Sequence, residues 1–217
     1  MPWLLDDPER RILHLIRDPR DVIISGMHYH CTAKEHWLHV PQKKFGGLTY
    51  QSKLNGLPDD RSRYFFEMRH SRAIVSMLRW NYRRPNAFEC RYEDLISDTD
   101  MCLFTRILVH LGFSEQELPV CRSAFWRQFI FGGMPEAKRN KKTAHIRSGA
   151  PQQWPSAFDR GMGEKFVRQF GDVLVRLGYE KDDSWLDKLP ERQPEALQTP
   201  APPSMDRNAE ITAEGST

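Results

Sequence analysis

The sequence of 217 residues lacks several features that would assign it to whole classes of protein. No apolar run approaches the roughly 20 residues that a helix needs to cross a bilayer, so we predict no membrane span. The opening MPWLLDDPERR has acidic residues where a secretory signal has cations and a long apolar run, so we expect no signal peptide. Cysteine is scarce, and no C-x-x-C pair occurs. This argues against a disulfide framework and favours reduced thiols in the cytoplasm.

Aromatic residues are absent from positions 190–217, where five prolines are concentrated. Such a segment cannot bury enough apolar surface to offset the entropy of ordering, so we predict a disordered, Pro-rich acidic tail. The tail holds five acids and two bases, so residues 1–189 carry a net charge of +6 against +3 for the whole chain. We predict that residues 1–189 form one folded domain.

Arginine outnumbers lysine by 22 to 10. A guanidinium group forks onto phosphate or sulfate oxygens, so this excess favours an anionic ligand. The same excess is common in proteins from genomes of high GC content, and composition does not decide between the two explanations.

The first structural signal is the apolar run RILHLIR at residues 11–17, which is typical of a buried parallel strand. Asp18 follows as a favourable helix N-cap, and Pro19 suits the first helical position. The pattern therefore predicts a strand that runs directly into a helix. Ligands of α/β sheets bind at such carboxyl ends of parallel strands.

Further along the chain, turn signals between residues 31 and 70 predict a long connecting segment with short helices, which we call the excursion. A second strand is predicted at AFECRY, residues 87–92. In the last predicted helix, Phe166, Phe170, Leu174 and Leu177 form one apolar face that we assign to the core. Helices are predicted at about 69–82, 99–111, 114–130 and 162–177.

Three motifs carry groups suited to chemistry. In RDPRDVIIS, Arg17 at the strand end and Ser25 on the helix can bind the same anion. The alternative is that Arg17 pairs with an aspartate at the helix start and Ser25 only fills space. In RYEDL, Tyr92 can stack on a planar base or simply be half-buried beside a cap. In KRNKKTAHIRSGAPQQW, a basic loop with Gly149 can close over an anion or remain a solvated loop.

Taken in order, RDPRDxxxS, RYEDL and RSGxxxQW resemble the cytosolic-type sulfotransferases that use 3′-phosphoadenosine 5′-phosphosulfate (PAPS), and the resemblance runs from about Arg11 to Trp185. It implies an α/β fold with three αβα layers around a parallel sheet of the P-loop nucleotide-binding type. It also implies that Arg17 and Ser25 bind the 3′-phosphate and that Tyr92 approaches the adenosine. The residues implied to close over the 3′-phosphate are Arg147, Ser148 and Gly149.

The sequence departs from that family in two places. Gln152 stands where the family usually has a second glycine. In the family, a β-loop-α unit with a phosphate-binding loop and a lysine precedes the first strand seen here, as does the usual catalytic histidine. Such a unit needs roughly 30 residues, and ten residues precede RILHLIR. We therefore expect that this first unit is missing, and we assign no catalytic residue.

The resemblance predicts an enzyme that transfers a sulfuryl group from PAPS, its co-substrate, to a hydroxyl or amine. The acceptor is expected to be a small molecule, glycan, lipid or peptide, and a homodimer is considered. The alternative is a non-catalytic remnant that binds a 3′-phosphoadenosine nucleotide or a protein partner. A nucleic-acid partner on the basic loop at residues 138–147 is disfavoured by the acidic residues elsewhere, and none is predicted.

The histidines suggest a metal site only weakly. His28 and His30 are two residues apart and would point to different faces of a helix, so we predict no metal. Met27, His28 and Tyr29 follow Ser25 directly, and we expect them to face the acceptor pocket. Aromatic and histidine residues of the excursion are expected to shape that pocket, namely His36, Trp37, His39, Phe45 and Tyr50.

Overall fold

Two parallel strands form the sheet in the computed structural model, which describes residue 5, residues 7–136 and residues 149–192. Strand β1 (Ile12–Ile16) pairs with β2 (Ala87–Arg91) in a register that runs from Ile12 opposite Ala87 to Ile16 opposite Arg91. Both predicted strands are confirmed. Because the strands are parallel, Arg17 and Tyr92 leave the sheet at the same edge.

Helices account for most of the remaining described residues. The longest, α1 (Pro19–Thr32), packs against the three α-helices that follow it in the chain. Helix α6 (Cys102–Leu111) packs against β1. Short 3₁₀ helices span His36–His39, Lys43–Phe45, Trp154–Ser156 and Asp183–Lys188. The other α-helices are α2 (Tyr50–Asn55), α3 (Asp60–His70), α4 (Arg72–Arg79), α5 (Tyr92–Ile96), α6 (Cys102–Leu111), α7 (Leu118–Trp126), α8 (Arg160–Phe170) and α9 (Val173–Arg176).

The start of α1 follows the sequence prediction closely. The Asp18 carboxylate accepts a hydrogen bond from the backbone N–H of Arg20 at 2.9 Å, and Pro19 is the first helical residue. The cap satisfies one of the donors that a helix leaves unpaired at its first turn. One face of the helix then buries Ile23, Ile24 and Met27 in the core.

Two predicted helices are each divided in the structure. The segment predicted as one helix at 69–82 is interrupted at Ser71, whose backbone is extended, so that α3 ends and α4 begins there with its Ile74 and Met77 turned into the core. The segment predicted at 162–177 is interrupted by Gly171, whose φ of 59° lies in the left-handed region that favours glycine. The core assignment of that segment is confirmed, because its four predicted apolar residues are all buried.

Strand β1 is less buried than predicted. Leu13 is 38% exposed and Leu15 is 45% exposed, whereas Ile16 is buried. The reason is that, within the described residues, the sheet has two strands, so these two leucines stay partly exposed. The prediction of a parallel α/β sheet is confirmed, and the prediction of a buried first strand is wrong except at Ile16.

The end of the predicted domain is packed. Leu189 is buried in the core, and the carbonyl of Pro190 accepts a hydrogen bond from the N–H of Arg160 at 2.8 Å. Residues 193–217, most of the predicted tail, lie outside the described residues. All four cysteines are free thiols. In the part of the chain that the structure describes, no helix has the length and apolarity needed to cross a membrane.

A buried cation joins the start of α1 to the C-terminal part of the domain. Arg20 is 2% exposed, and it pairs with Asp18 through Nε at 3.0 Å and Nη2 at 2.7 Å, while Nη1 lies 2.7 Å from Glu180. Its guanidinium also lies 3.6 Å from the centre of the Trp154 ring and 4.7 Å from that of Trp185. Such stacking on indole is favourable for a desolvated guanidinium.

We expect Arg20→Met to lower the free energy of unfolding by about 3 kcal/mol or more, because its removal leaves the buried Asp18 carboxylate and the partly exposed Glu180 carboxylate uncompensated. Urea unfolding followed by circular dichroism measures the change. Arg10→Ala is the control, since the pair of Arg10 with Asp7 is exposed and its loss should cost no more than about 1 kcal/mol. Equal losses in the two variants would contradict a stabilising role for the Arg20 network.

Candidate functional site

A cavity of about 670 Å³ opens beside α1 and is the natural place for a ligand. One stripe of the helix lines it with residues three and four apart, and Arg17 from the end of β1 lies at its wall. The aromatic and charged residues of the other walls come from the excursion and from the break between α3 and α4. The helical stripe consists of Val22, Ser25, Gly26, Tyr29 and His30, and the other walls include Trp37, Tyr50, Glu67, His70, Ser71 and Arg72.

Arg17 is a half-buried cation at this cavity. Its Nη2 donates a hydrogen bond to the carbonyl of Ala150 at 3.0 Å and lies 3.6 Å from a carboxylate oxygen of Asp21, and its guanidinium lies 4.7 Å from the centre of the Tyr92 ring. Its Nε is buried and has no hydrogen-bond partner among the described residues. A buried donor without a partner is costly, so this atom favours binding of an anion.

Tyr92 holds the loop at residues 149–153, called the late loop below, against the end of β1. Its hydroxyl donates a hydrogen bond of 2.5 Å to the carbonyl of Gly149. Burial raises the pKa of Tyr92, which keeps the hydroxyl protonated as a donor at neutral pH. Gly149 has a φ of 66°, in the left-handed region. Arg147 and Ser148 lie outside the described residues, so their assignment stays a prediction.

The structure brings the predicted residues that it describes together around Arg17. Ser25 is exposed on α1 and lines the same cavity as Arg17. Tyr92 lines a neighbouring cavity of about 540 Å³, and Arg17 contributes to both cavities. Through Tyr92, the chain at Gly149 is fixed to the same place. The arrangement presents one cation, one hydroxyl and one phenol ring to a ligand at the strand ends.

Asp21 fixes the late loop from the helix side, a role that the sequence did not reveal. Its buried carboxylate accepts hydrogen bonds from the backbone N–H groups of Gln153 at 2.9 Å and Trp154 at 3.0 Å. Burial raises the pKa of Asp21, and the nearby Arg17 guanidinium opposes that rise. Asp21 lies in the first turn of α1, where an acidic residue is favourable, and the sequence alone gives no sign of its contact with the loop.

Glu93 of the RYEDL motif connects the same junction to the C-terminal segment. One carboxylate oxygen accepts a hydrogen bond from the N–H of Asp18 at 2.9 Å, and the other accepts one from the Tyr179 hydroxyl at 3.0 Å. Arg91 donates to the carbonyl of Leu177 at 2.7 Å and stacks over Tyr179. The motif thus supports the strand end as well as supplying Tyr92.

The histidines of α1 have separate partners. Nε2 of His28 lies 3.3 Å from the Tyr64 hydroxyl, and Nδ1 of His30 lies 3.0 Å from the Glu67 carboxylate. Across residues 7–136 and 149–192, no group of three or more histidine, cysteine, aspartate and glutamate residues is arranged to hold a metal ion.

The expected acceptor pocket is only partly correct. Tyr29 lines the cavity, but Met27 is buried in the core because it lies on the opposite face of α1. Of the excursion residues expected to shape the pocket, Trp37 and Tyr50 line the cavity. The others do not line it, namely His36, His39 and Phe45. The sequence interpretation missed His30, although its spacing of four from Gly26 places both on one helical face.

Gln152 has a φ of 54°, a left-handed backbone that favours glycine. This is the position at which the sequence departs from the second glycine of the family motif. The strain lies in the loop that Asp21 and Tyr92 hold.

A family model described as Sulfotransferase domain matches residues 1–178, which is most of the chain. Neither the comparison with curated proteins nor the comparison with solved structures found a match.

We expect Gln152→Gly to raise the free energy of unfolding by up to about 1 kcal/mol, because glycine adopts a left-handed backbone without steric cost. Thermal unfolding measures the change. The control is Ala157→Gly at the end of the following 3₁₀ helix, where φ is −112° and the added chain entropy should destabilise the fold. A loss of stability in both variants would show that the left-handed position carries no strain.

Proposed function

Because the chain belongs to the sulfotransferase domain family, we propose that it transfers a sulfuryl group from PAPS to a hydroxyl or amine acceptor. The observation that carries the proposal is the meeting of Arg17, Tyr92 and Gly149 at the parallel strand ends, with Ser25 in the same cavity as Arg17. These are the described members of the residue set that the family motifs assign to the nucleotide.

Arg17 and Ser25 bind the 3′-phosphate in this proposal. The unpartnered Nε of Arg17 supplies a charge-assisted donor, and the exposed Ser25 hydroxyl supplies a second donor from α1. Arg17 is already held by Ala150, Asp21 and the ring of Tyr92, so little side-chain freedom is lost on binding. The fit of this pair to a phosphate is supported by charge and by geometry.

The late loop completes the nucleotide site. Tyr92 lies next to the adenosine, and Arg147, Ser148 and Gly149 close over the 3′-phosphate. Support comes from the two hydrogen bonds that hold residues 149–150 against the strand ends, Tyr92 to Gly149 and Arg17 to Ala150. We include in the proposal a sheet of the P-loop nucleotide-binding type, to which β1 and β2 belong.

Sulfuryl transfer makes limited demands on the protein. The group that moves is an anion between an attacking and a leaving oxygen, so the site must position the two reactants and stabilise charge. The acceptor occupies the part of the cavity lined by Tyr29, Trp37 and Tyr50. A cavity of about 670 Å³ is large enough for a small-molecule acceptor.

We expect Arg17→Ala to weaken binding of adenosine 3′,5′-bisphosphate by about 10- to 100-fold, since a hydrogen bond to a charged group contributes about 1.5–3 kcal/mol. Binding of adenosine 5′-monophosphate, which lacks the 3′-phosphate, should be unchanged. Isothermal titration calorimetry with both nucleotides measures the two affinities for wild type and variant.

Arg83→Ala is the matched control, because Arg83 is an exposed arginine outside the cavity. Equal affinity of wild type and Arg17→Ala for the bisphosphate would overturn the assignment of Arg17. An equal loss for both nucleotides would show that Arg17 acts only on the fold. If the wild-type chain binds neither nucleotide, the proposed donor is wrong.

A further inference from the structure

His30 and Glu67 form a hydrogen-bonded pair in the wall of the cavity that holds Arg17 and Ser25. Nδ1 of His30, on α1, lies 3.0 Å from Oε2 of Glu67, on α3. The Glu67 carboxylate is buried, whereas the imidazole of His30 is 17% exposed. Both residues line the cavity. A partly exposed imidazole is thus backed by a buried carboxylate.

The carboxylate fixes which nitrogen of His30 carries the proton. Glu67 accepts the Nδ1–H, so the lone pair of the neutral ring is on Nε2. No residue that the structure describes makes a hydrogen bond to Nε2. A carboxylate in this position also stabilises the imidazolium that forms when Nε2 takes a proton, as in the serine protease triad.

Glu67 is itself held in place from two further directions. The Tyr50 hydroxyl donates a hydrogen bond of 2.8 Å to the same Oε2. Burial raises the pKa of Tyr50, and the Glu67 charge raises it further, so the hydroxyl stays a donor. On the other side, a Cβ at Gly26 would come within 2.8 Å of Oε1, so only glycine allows the carboxylate to sit this close to α1.

His70 lines the same cavity but lacks this arrangement. Its ring packs against Phe66, with centroids 4.6 Å apart, and against Phe45 at 5.3 Å. Burial lowers the pKa of His70, and nearby Lys44 and Arg69 add to that effect. Among the described residues no carboxylate forms an ion pair with it, so its tautomer and its imidazolium have no comparable support.

We propose that His30, oriented by Glu67, is the general base that takes the proton from the acceptor, an inference that rests on the proposed sulfuryl transfer. The acceptor hydroxyl loses its proton to Nε2 of His30, and its oxygen forms a bond to the sulfur of PAPS. The bond between that sulfur and the 5′-phosphate oxygen breaks, and its electron pair leaves with adenosine 3′,5′-bisphosphate. The proton on Nε2 later passes to solvent.

The position of His30 along α1 separates proton removal from phosphate binding. Ser25 and His30 are separated by about 7.5 Å along the helix axis, at 1.5 Å per residue. The anion-binding end and the proton-accepting end therefore occupy different parts of one cavity. Around His30, the rings of Trp37, Tyr50 and Tyr29 lie with centroids 5.1, 5.5 and 5.7 Å away and give the acceptor an aromatic surface.

The test compares wild type with His30→Gln, with PAPS as donor and two phenols as acceptors. 4-Methylphenol is protonated near neutral pH and needs a base, whereas 4-nitrophenol is largely ionised at mildly alkaline pH and needs little proton removal. We expect His30→Gln to lower kcat about 100-fold or more for 4-methylphenol. The loss for 4-nitrophenol should be less than about tenfold, with KM and the affinity for adenosine 3′,5′-bisphosphate nearly unchanged in both cases.

Two further variants sharpen the comparison. Glu67→Gln keeps the shape but removes the charge that supports the imidazolium, so it should show the same selectivity between the phenols with a smaller loss. His36→Gln is the control, because His36 is an exposed histidine that does not line the cavity, and its rates should equal those of wild type.

The outcomes separate this inference from the proposed function. If His30→Gln transfers the sulfuryl group as fast as wild type, or loses equal activity with both phenols, the role of His30 is overturned. The proposed sulfuryl transfer still stands in that case. Intact nucleotide binding by wild type without transfer to either phenol overturns the sulfuryl transfer proposed for these acceptors and the base with it. If His30→Gln does not fold, nitrogen-15 NMR of the wild-type imidazoles decides. A neutral His30 with its proton on Nε2 would contradict the proposal.

Discussion

The buried guanidinium of Arg20 is the interaction on which the remaining structure depends. Moving a charge out of water is costly, and here two carboxylates and two indole rings compensate for the buried guanidinium. Those partners come from the strand-helix junction and from the C-terminal part of the domain. The network therefore holds Asp18 and Trp154 side by side, and with them the strand end and the late loop. Arg17 projects from that junction, so the position of the cation that we propose for the 3′-phosphate follows from the packing of its neighbour Arg20.

Helix α1 serves the core and the cavity with opposite faces. Ile23, Ile24 and Met27 turn inward, while the stripe that includes Ser25 and His30 faces the cavity. Because the helix is anchored at its first turn by Asp18 and Asp21, the positions of the outward residues are fixed relative to the sheet. A rigid helix is a more exact support for reacting groups than a loop. This explains how one cavity can have a cationic end near the strands and a proton-accepting end farther along the helix.

The parts that were predicted correctly are those in which the cause is local. The apolar run before Asp18 predicts a strand, and the Asp18-Pro19 pair predicts where the helix begins, because both effects act within a few residues. The breaks at Ser71 and Gly171 were missed. Ser71 has no strong helix-breaking signal, and the apolar spacing around Gly171 continues across the break. The break at Ser71 has a functional consequence, because it places His70 and Arg72 at the cavity wall.

The sequence by itself determined the order of motifs, the two parallel strands, the capped helix and the residues suited to an anion, since each depends on spacing along the chain. Only the tertiary structure decided which of them meet. The hydrogen bonds from the Gln153 N–H to Asp21 and from the Tyr92 hydroxyl to Gly149 join residues far apart in sequence, and no local pattern indicates them. The same holds for His30 and Glu67. A histidine and a glutamate are common on helix surfaces, and the packing of α3 against α1 is what turns this pair into an oriented base beside a cavity.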